Sequence, residues 1–286
     1  MLASTNINSR YQSDLSEVDA LMAVLLSSHD GMASAAAAEH MSSRGKQVRA
    51  SLALHSALSL GLNIRSAIAI AAASELIHNA SLVHDDIQDG SDLRRGNPTL
   101  WASYGRDVAM CAGDLMISSS YAALAQVGGA YLSDALTRMH QRISQVIFGQ
   151  VADLATRDAA ATTFFQYKTI AVAKSAPLLG LPLELSLTLA GRLDCLVQAE
   201  RAANAFALAY QMADDVEDAE SDMANGGLNA VAILARDMPI ERARLLVKRL
   251  VTRTFRQAAR LALSLPSQSG ALMASMASER SWGLQE

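Results

Sequence analysis

The sequence predicts an all-α protein, a single antiparallel helical bundle. Three observations carry that expectation. Ala and Leu, the strongest helix formers, abound, whereas aromatic residues make up 5% of the chain and strand-favouring residues are sparse. Five prolines occur in 286 residues and the first is Pro98, so nothing forbids long helices in the opening third. Stretches such as AIAIAAAS and AANAFALA carry small residues on several faces, which suits close packing in a bundle. With 51% apolar residues the chain can bury a large core, and it is read as one domain over 1–286 with a loose N-terminal tail at 1–12.

Helices are expected at 14–29, 45–61, 64–89, 98–125, 130–156, 161–180, 192–222, 239–264 and 268–280. Each is bounded by a breaker. Gly31 closes the first, and the Gly61-Leu62-Asn63 turn separates the second from the third. A loop from Gly90 to Pro98 follows, and Thr99 behind Pro98 makes a good helix start. Gly128-Gly129, the Leu181-Pro182 step, Asn225-Gly226-Gly227 and Pro266 supply the remaining breaks.

Composition excludes several function classes. The formal net charge is −4 and no basic run of the kind that nucleic acid requires is present. Cys111 and Cys195 lie far apart and give neither a disulfide framework nor metal-ligand spacing, which fits a reducing cytosol and a cytoplasmic protein. The start, MLASTNINSRYQSDLSEVD, lacks the basic-then-apolar pattern of a signal peptide. The most apolar stretch is interrupted by Glu75, His78 and Asn79, so no membrane insertion is expected.

Two stretches concentrate negative charge beside apolar residues: SLVHDDIQDG at 81–90 and YQMADDVED at 210–218. Each holds the pattern DDxxD. On a helix Asp85 and Asp89 share a face at i and i+4, with Asp86 turned about 100° away, and the same holds for Asp214, Asp218 and Asp215. Carboxylates so crowded repel one another, and their burial is costly unless a cation joins them. Oxygen-only donors suit Mg²⁺, which takes one or two protein carboxylates and completes its octahedron with water and substrate phosphate. One isolated motif would read as a solvated helix end. Two copies, each behind an apolar stretch, favour metal, and the pair could face each other across a cavity.

Nearby cations extend that reading. Arg94-Arg95-Gly96 offers guanidinium forks for phosphate oxygens. Within Arg44-Gly45-Lys46-Gln47-Val48-Arg49, Lys46 and Arg49 stand i, i+3 near a helix start and make a second phosphate site. His78 lies two turns before Asp85 on the same face, where a lone His is more often a core residue than a ligand.

Together these pieces resemble the trans-isoprenyl diphosphate synthases, the chain-elongating prenyltransferases, and most of all those that make geranylgeranyl diphosphate. GKQVR, ELIHNASLVHDDIQD, LRRGNPT, FGQVADL, YKT and YQMADDVED come in family order between about residue 40 and about residue 265. The resemblance implies long antiparallel helices around a deep central cavity, paired as a homodimer. It implies Mg²⁺, three ions per site, held with an allylic diphosphate (dimethylallyl, geranyl or farnesyl) by Asp85, Asp86, Asp89, Asp214, Asp215 and Asp218. Arg94, Lys168, Thr169 and Gln211 would help hold that substrate. Lys46, Arg49, His78 and Arg95 would hold isopentenyl diphosphate. Asp85, Asp86, Asp89, Lys168 and Asp214 are then the catalytic candidates. The sequence departs from the family in one place. After the second motif, members carry lysines in a stretch like GKxxGxD, whereas AESDMANGGLNAVAILARD has none, and no lysine occurs between Lys174 and Lys248.

Product length is expected to depend on the residues one and two turns before Asp85. Ala80 and Ser81 are small, where farnesyl-making members often have bulky aromatics, and Ile77 and Ser74 form the next layer. Met116, Ser119, Ser120 and Tyr121 are expected on the facing helix. This predicts a C20 product, geranylgeranyl diphosphate, over a C15 or longer polyprenyl one. A class I terpene cyclase would lack RRG and GKxxR, and a poorly active subunit of a heteromeric synthase would tend to lose aspartates.

Overall fold

The computed structural model describes residues 11–28, 30–43, 45–155, 162–225 and 227–282. Among them, helices dominate: α1 (Gln12–Leu26), α2 (Met32–Ser42), α3 (Val48–Ser59), α4 (Ile64–Asp89), α5 (Leu100–Tyr104), α6 (Arg106–Ala125), α7 (Leu132–Ala155), α8 (Phe164–Leu189), α9 (Leu196–Glu217), α10 (Ala219–Asn225), α11 (Ala230–Leu234), α12 (Ile240–Leu263) and α13 (Ala271–Trp282). The expected all-α class holds. Two short strands, β1 (Leu93–Arg94) and β2 (Asn97–Pro98), form a hairpin between α4 and α5.

The chain divides into two compact units: Met1–Thr137 with Leu185–Gly191, and Arg138–Glu184 with Arg192–Glu286. The spine of the first is α4. Asn63 caps its start by accepting from the Ser66 amide, and Gly90, at φ 66°, ends it in the left-handed conformation that favours glycine. Between these caps every residue from Ser66 to Ile77 is buried, and five of the twelve are Ala, so α1, α3 and α6 can approach closely. Residues 1–10, most of the expected tail, lie outside the described residues. Tyr11 is already buried, with its hydroxyl 3.2 Å from His55 Nδ1.

In the second unit α9 packs on α12, and α12 on α13. The buried stripe of α12 is Ala243, Val247, Val251, Phe255, Ala258 and Ala262, a regular helical period. Phe255 meets Phe206 edge to face at 5.5 Å, a burial worth roughly 1.5–3 kcal/mol.

Several expected breaks differ. α2 forms where none was expected, and Gly105, at φ 83°, divides the expected 98–125 helix into α5 and α6. The expected stop at Leu181-Pro182 is absent, because α8 runs through both Pro177 and Pro182. A proline at 177 cannot donate to the carbonyl of Ala173 four residues earlier. That carbonyl instead meets the bare backbone of Gly149 on α7, so close that a Cβ there would stand 2.8 Å from its oxygen. The missing donor at 177 and the bare backbone at 149 thus meet at one carbonyl.

By length and composition α4, α6 and α8 are apolar enough to cross a membrane, so Glu75, His78 and Asn79 do not interrupt α4 as far as the sequence suggested. In α4 and α8, 78% and 72% of that stretch is buried inside the protein.

Substituting Gly149→Ala should force α7 and α8 apart and cost about 1–3 kcal/mol, read as a lower Tm in thermal unfolding. An unchanged Tm would show that the Gly149–Ala173 approach is dispensable.

Candidate functional site

The first aspartate motif occupies the last turn of α4 and divides its acids. Asp86 is buried, Asp85 half-buried and Asp89 exposed. Arg94 grips Asp86 with three contacts: Nε lies 2.9 Å from both carboxylate oxygens, and Nη2 lies 2.7 Å from Oδ1. The β1–β2 hairpin makes this possible. Its turn, Arg95-Gly96, has positive φ at both positions (53° and 82°), which fits the twist of a two-residue hairpin. Thr99 and Trp101 lock the hairpin by donating to the Ser91 carbonyl, each at 2.9 Å. The stretch expected to be a plain loop is therefore an ordered clamp.

Arg95 goes elsewhere. Its guanidinium lies over Gly45, where a Cβ would stand 2.5 Å from Nη1, so a side chain at 45 would push it away. Arg49 belongs to the same cationic neighbourhood. Burial holds His78 neutral by lowering its pKa well below the ordinary value, and the charges of Arg49, Arg95 and Arg94 add to that effect. As a phosphate ligand His78 would thus donate from a neutral ring. Lys46 is exposed beside Gly45, and Arg44 lies outside the described residues.

Two residues that sequence reasoning passed over organise this cluster. Buried Glu75 accepts from the Ala50 amide at 3.0 Å and from the Arg49 amide, tying α4 to the start of α3. Burial raises its pKa, and Arg49 opposes that rise. His40 reaches in from α2, with Nε2 3.1 Å from Asn79 Oδ1. Glu75 was visible only as an interruption of an apolar run, and nothing marked His40. On α6, Gly113 leaves space for the His84 ring, which a Cβ there would overlap.

The chain-length candidates lie below. Ile77 and Ala80 are buried, and Ser81 is half-buried with its hydroxyl donating to the His78 carbonyl at 2.7 Å. α6, packed on α4, buries Met116, Ser119 and Ser120 and leaves Tyr121 half-buried.

The second motif, in the other unit, ends α9 and follows the same division by other means. Asp215 is buried and accepts from Gln211 Nε2 at 3.0 Å and from the Ala230 amide at 2.7 Å. The Tyr167 hydroxyl lies close enough for its proton to favour this carboxylate, although its geometry falls short of a regular hydrogen bond. Asn229, wholly buried, caps α11 and donates to the Asp215 carbonyl and to Asp222, each at 2.8 Å. Asp218 is exposed at the C-cap of α9. Asp214 is half-buried, and its pKa is raised to about 6 by burial, an effect that Arg280 opposes.

Arg280, from α13, is the cation that the sequence left unassigned. Nη1 lies 3.8 Å from Asp214 Oδ1, Nη2 bonds the Tyr210 hydroxyl at 3.0 Å, and the guanidinium covers the Tyr210 ring at 4.1 Å. Lys174, the last lysine before that lysine-free stretch, pairs with Asp153 at 2.8 Å. Lys168 lies over the Phe164 and Phe165 rings, and the Thr169 hydroxyl donates to the Phe165 carbonyl. Tyr167, between the two phenylalanines and Lys168, is the α8 residue beside Asp215.

All the candidate metal donors are carboxylate oxygens, the donor type Mg²⁺ prefers. Among the described residues no three His, Cys, Asp or Glu side chains converge to hold an ion by themselves. Each motif instead presents an outer pair, Asp85 with Asp89 and Asp214 with Asp218, in the numbers that suit an ion sharing its shell with phosphate and water.

The raised pKa of Asp214 has a signed consequence. A folded value near 6 above a reference of 3.8 favours the protonated form, so stability falls as pH rises through that window. In buffer without divalent cations, the Tm of the native protein should drop relative to Asp214→Asn between about pH 4 and pH 6. A difference that stays constant across the window would contradict it.

Residues 32–239 match the family model described as polyprenyl synthetase. A (2E,6E)-farnesyl diphosphate synthase of Mycobacterium tuberculosis is 34% identical over 173 residues, covering 60% of this chain and 48% of the relative. A geranylgeranyl diphosphate synthase of the same organism is 32% identical over 176 residues, 61% of this chain and 50% of the relative. The matched region thus spans about half the length of these curated relatives. Among solved structures, a decaprenyl diphosphate synthase from Rhodobacter capsulatus superposes with a TM-score of 0.86 at 20% identity, over 99% of this chain and 100% of its own, a likeness of fold. With the family model matching more than two-thirds of its residues, the chain belongs to the polyprenyl synthetase family.

Proposed function

We propose that this protein is a Mg²⁺-dependent, chain-elongating prenyltransferase that condenses an allylic diphosphate with isopentenyl diphosphate. One observation supports this most. The first unit keeps two anion-handling groups apart, an aspartate motif clamped by Arg94 and a cationic cluster of Arg95, Arg49 and His78. A reaction that joins two diphosphates needs both groups, whereas a terpene cyclase needs only the first.

Asp85 and Asp89, with Asp214 and Asp218, would hold the metal directly, and Asp86 and Asp215 would fix the motifs that present them. When bound, Mg²⁺ would neutralise charge on the departing diphosphate. Arg94, Lys168, Thr169 and Gln211 would support the allylic diphosphate, and Arg280 would stand where other members carry lysines. Lys46, Arg49, His78 and Arg95 would anchor isopentenyl diphosphate, so that its double bond meets the allylic cation left by ionisation. The released diphosphate would take the proton then lost. Apolar walls would keep water from capturing the cation.

The small pair Ala80 and Ser81 favours a C20 product, geranylgeranyl diphosphate. A homodimer is supported by Ile147, Phe148 and Val151, an exposed apolar stripe on α7 in which Phe148 is 74% exposed.

Purified protein with Mg²⁺, labelled isopentenyl diphosphate and each allylic primer should give a C20 product by chromatography. No incorporation with any primer would sink the proposal, and incorporation only after a second protein is added would favour the subunit reading. Ala80→Phe or Ser81→Phe should shorten the product to C15, and an unchanged product in both would remove this account of length. Arg280→Ala should raise KM for the allylic primer about tenfold, the scale of one charge-assisted hydrogen bond, and leave that for isopentenyl diphosphate near its native value. Arg280→Lys should recover part of the loss, and equal effects on the two KM values would argue for a purely structural Arg280.

A further inference from the structure

The outer face of α12 has no part in either aspartate motif, yet it carries the strongest charge asymmetry in the described chain. In a protein of formal net charge −4, α12 holds seven Lys and Arg residues against one Glu. Five of them, Lys248, Arg249, Arg253, Arg256 and Arg260, line a trough of about 920 Å³ between α12 and α13. Arg249, Arg253, Arg256 and Arg260 follow at i, i+4, i+7 and i+11, one continuous row on the helix. Among the described residues none of the five has an ion-pair partner. Like charges four residues apart destabilise a helix, so the row is an unrelieved cost to the isolated fold. Hydroxyls of Thr252 and Ser278 stand on opposite walls.

We infer that this trough is a binding site for a small, multiply phosphorylated anion. Guanidinium forks match phosphate oxygens bidentately, and the row rises roughly 16 Å from end to end, too long for one phosphate and suited to a chain of them. The volume is that of a small-molecule site. A bilayer surface fits less well: the apolar stripe of α12 is buried against its own unit, the exposed leucines are Leu245 and Leu246 at one end of the helix and Leu263 at the other, and a walled trough admits a ligand more readily than a plane.

The test is calorimetric titration of the full chain with inorganic tripolyphosphate, with divalent cations chelated. The native protein should bind it, with an affinity that falls as salt rises. Arg253→Gln with Arg256→Gln should weaken binding at least about tenfold, with a Tm no lower than that of the native protein. Lys46→Gln with Arg49→Gln, which removes charge from the proposed isopentenyl diphosphate site, should leave this binding intact. Three results would overturn the inference: no binding, loss of binding only in the Lys46/Arg49 variant, or binding of anionic phosphatidylglycerol vesicles or of RNA without tripolyphosphate. The outcome is independent of prenyl transfer, because the trough shares no residue with the groups assigned to that reaction.

Discussion

The structure depends on how it places the middle acid of each DDxxD motif. Three carboxylates in five residues, at the end of a helix embedded in apolar side chains, cannot all be desolvated and cannot all stay in water. The chain withdraws one and supplies it with partners. Asp86 is buried because Arg94 meets both of its oxygens. Removing such a partner would strand a buried charge at a cost of roughly 3–5 kcal/mol. The hairpin that carries Arg94 is fixed by that grip. Because neighbouring residues of its tight turn diverge, Arg95 is sent toward Gly45 instead. One buried ion pair thereby sends two adjacent arginines in two directions, Arg94 to Asp86 and Arg95 to Gly45.

The second motif reaches the same division without a cation. Asp215 is satisfied by the Ala230 amide at the start of α11 and by Gln211, and Asn229 closes the connection from below. These groups order the motif within AESDMANGGLNAVAILARD, a stretch that holds no lysine. The local task of orienting the motif falls to amides and a buried asparagine, and the cation beside Asp214 is Arg280 on the last helix. Amides orient but carry no net charge, so the two roles had to separate.

Much of this was legible in the sequence. The limits of α4 coincide with the expected 64–89 because Asn63 and Gly90 are strong caps. α2 was missed because no side chain caps Gly31 or marks where the helix begins. Pro182 misled because a proline shows only what it removes, and the glycine that packs on the carbonyl left by Pro177 lies on another helix. In the site, residue chemistry pointed to the aspartates, the paired arginines and the Lys46–Arg49 pair. What it could not show was which groups satisfy one another, since Glu75 meets the start of α3 and Arg280 meets Asp214 only after folding.

Backbone strain gathers beside the cationic cluster. Four non-glycine residues have positive φ among the described residues, and two of them, Gln47 at 46° and Arg95 at 53°, flank the same cationic cluster. Such conformations cost about 1–3 kcal/mol each and persist only where the surroundings over-determine them. Gln47 is held by Asp19, 2.6 Å from its amide, and Arg95 by the turn and the bare backbone of Gly45. With His78 kept neutral, the cluster adds no further positive charge to Arg49 and Arg95. Strain, burial and mutual repulsion are thus all borne before a ligand arrives. An incoming diphosphate would relieve the repulsion without having to order the groups that bind it, so more of its binding energy would be left to hold it in place.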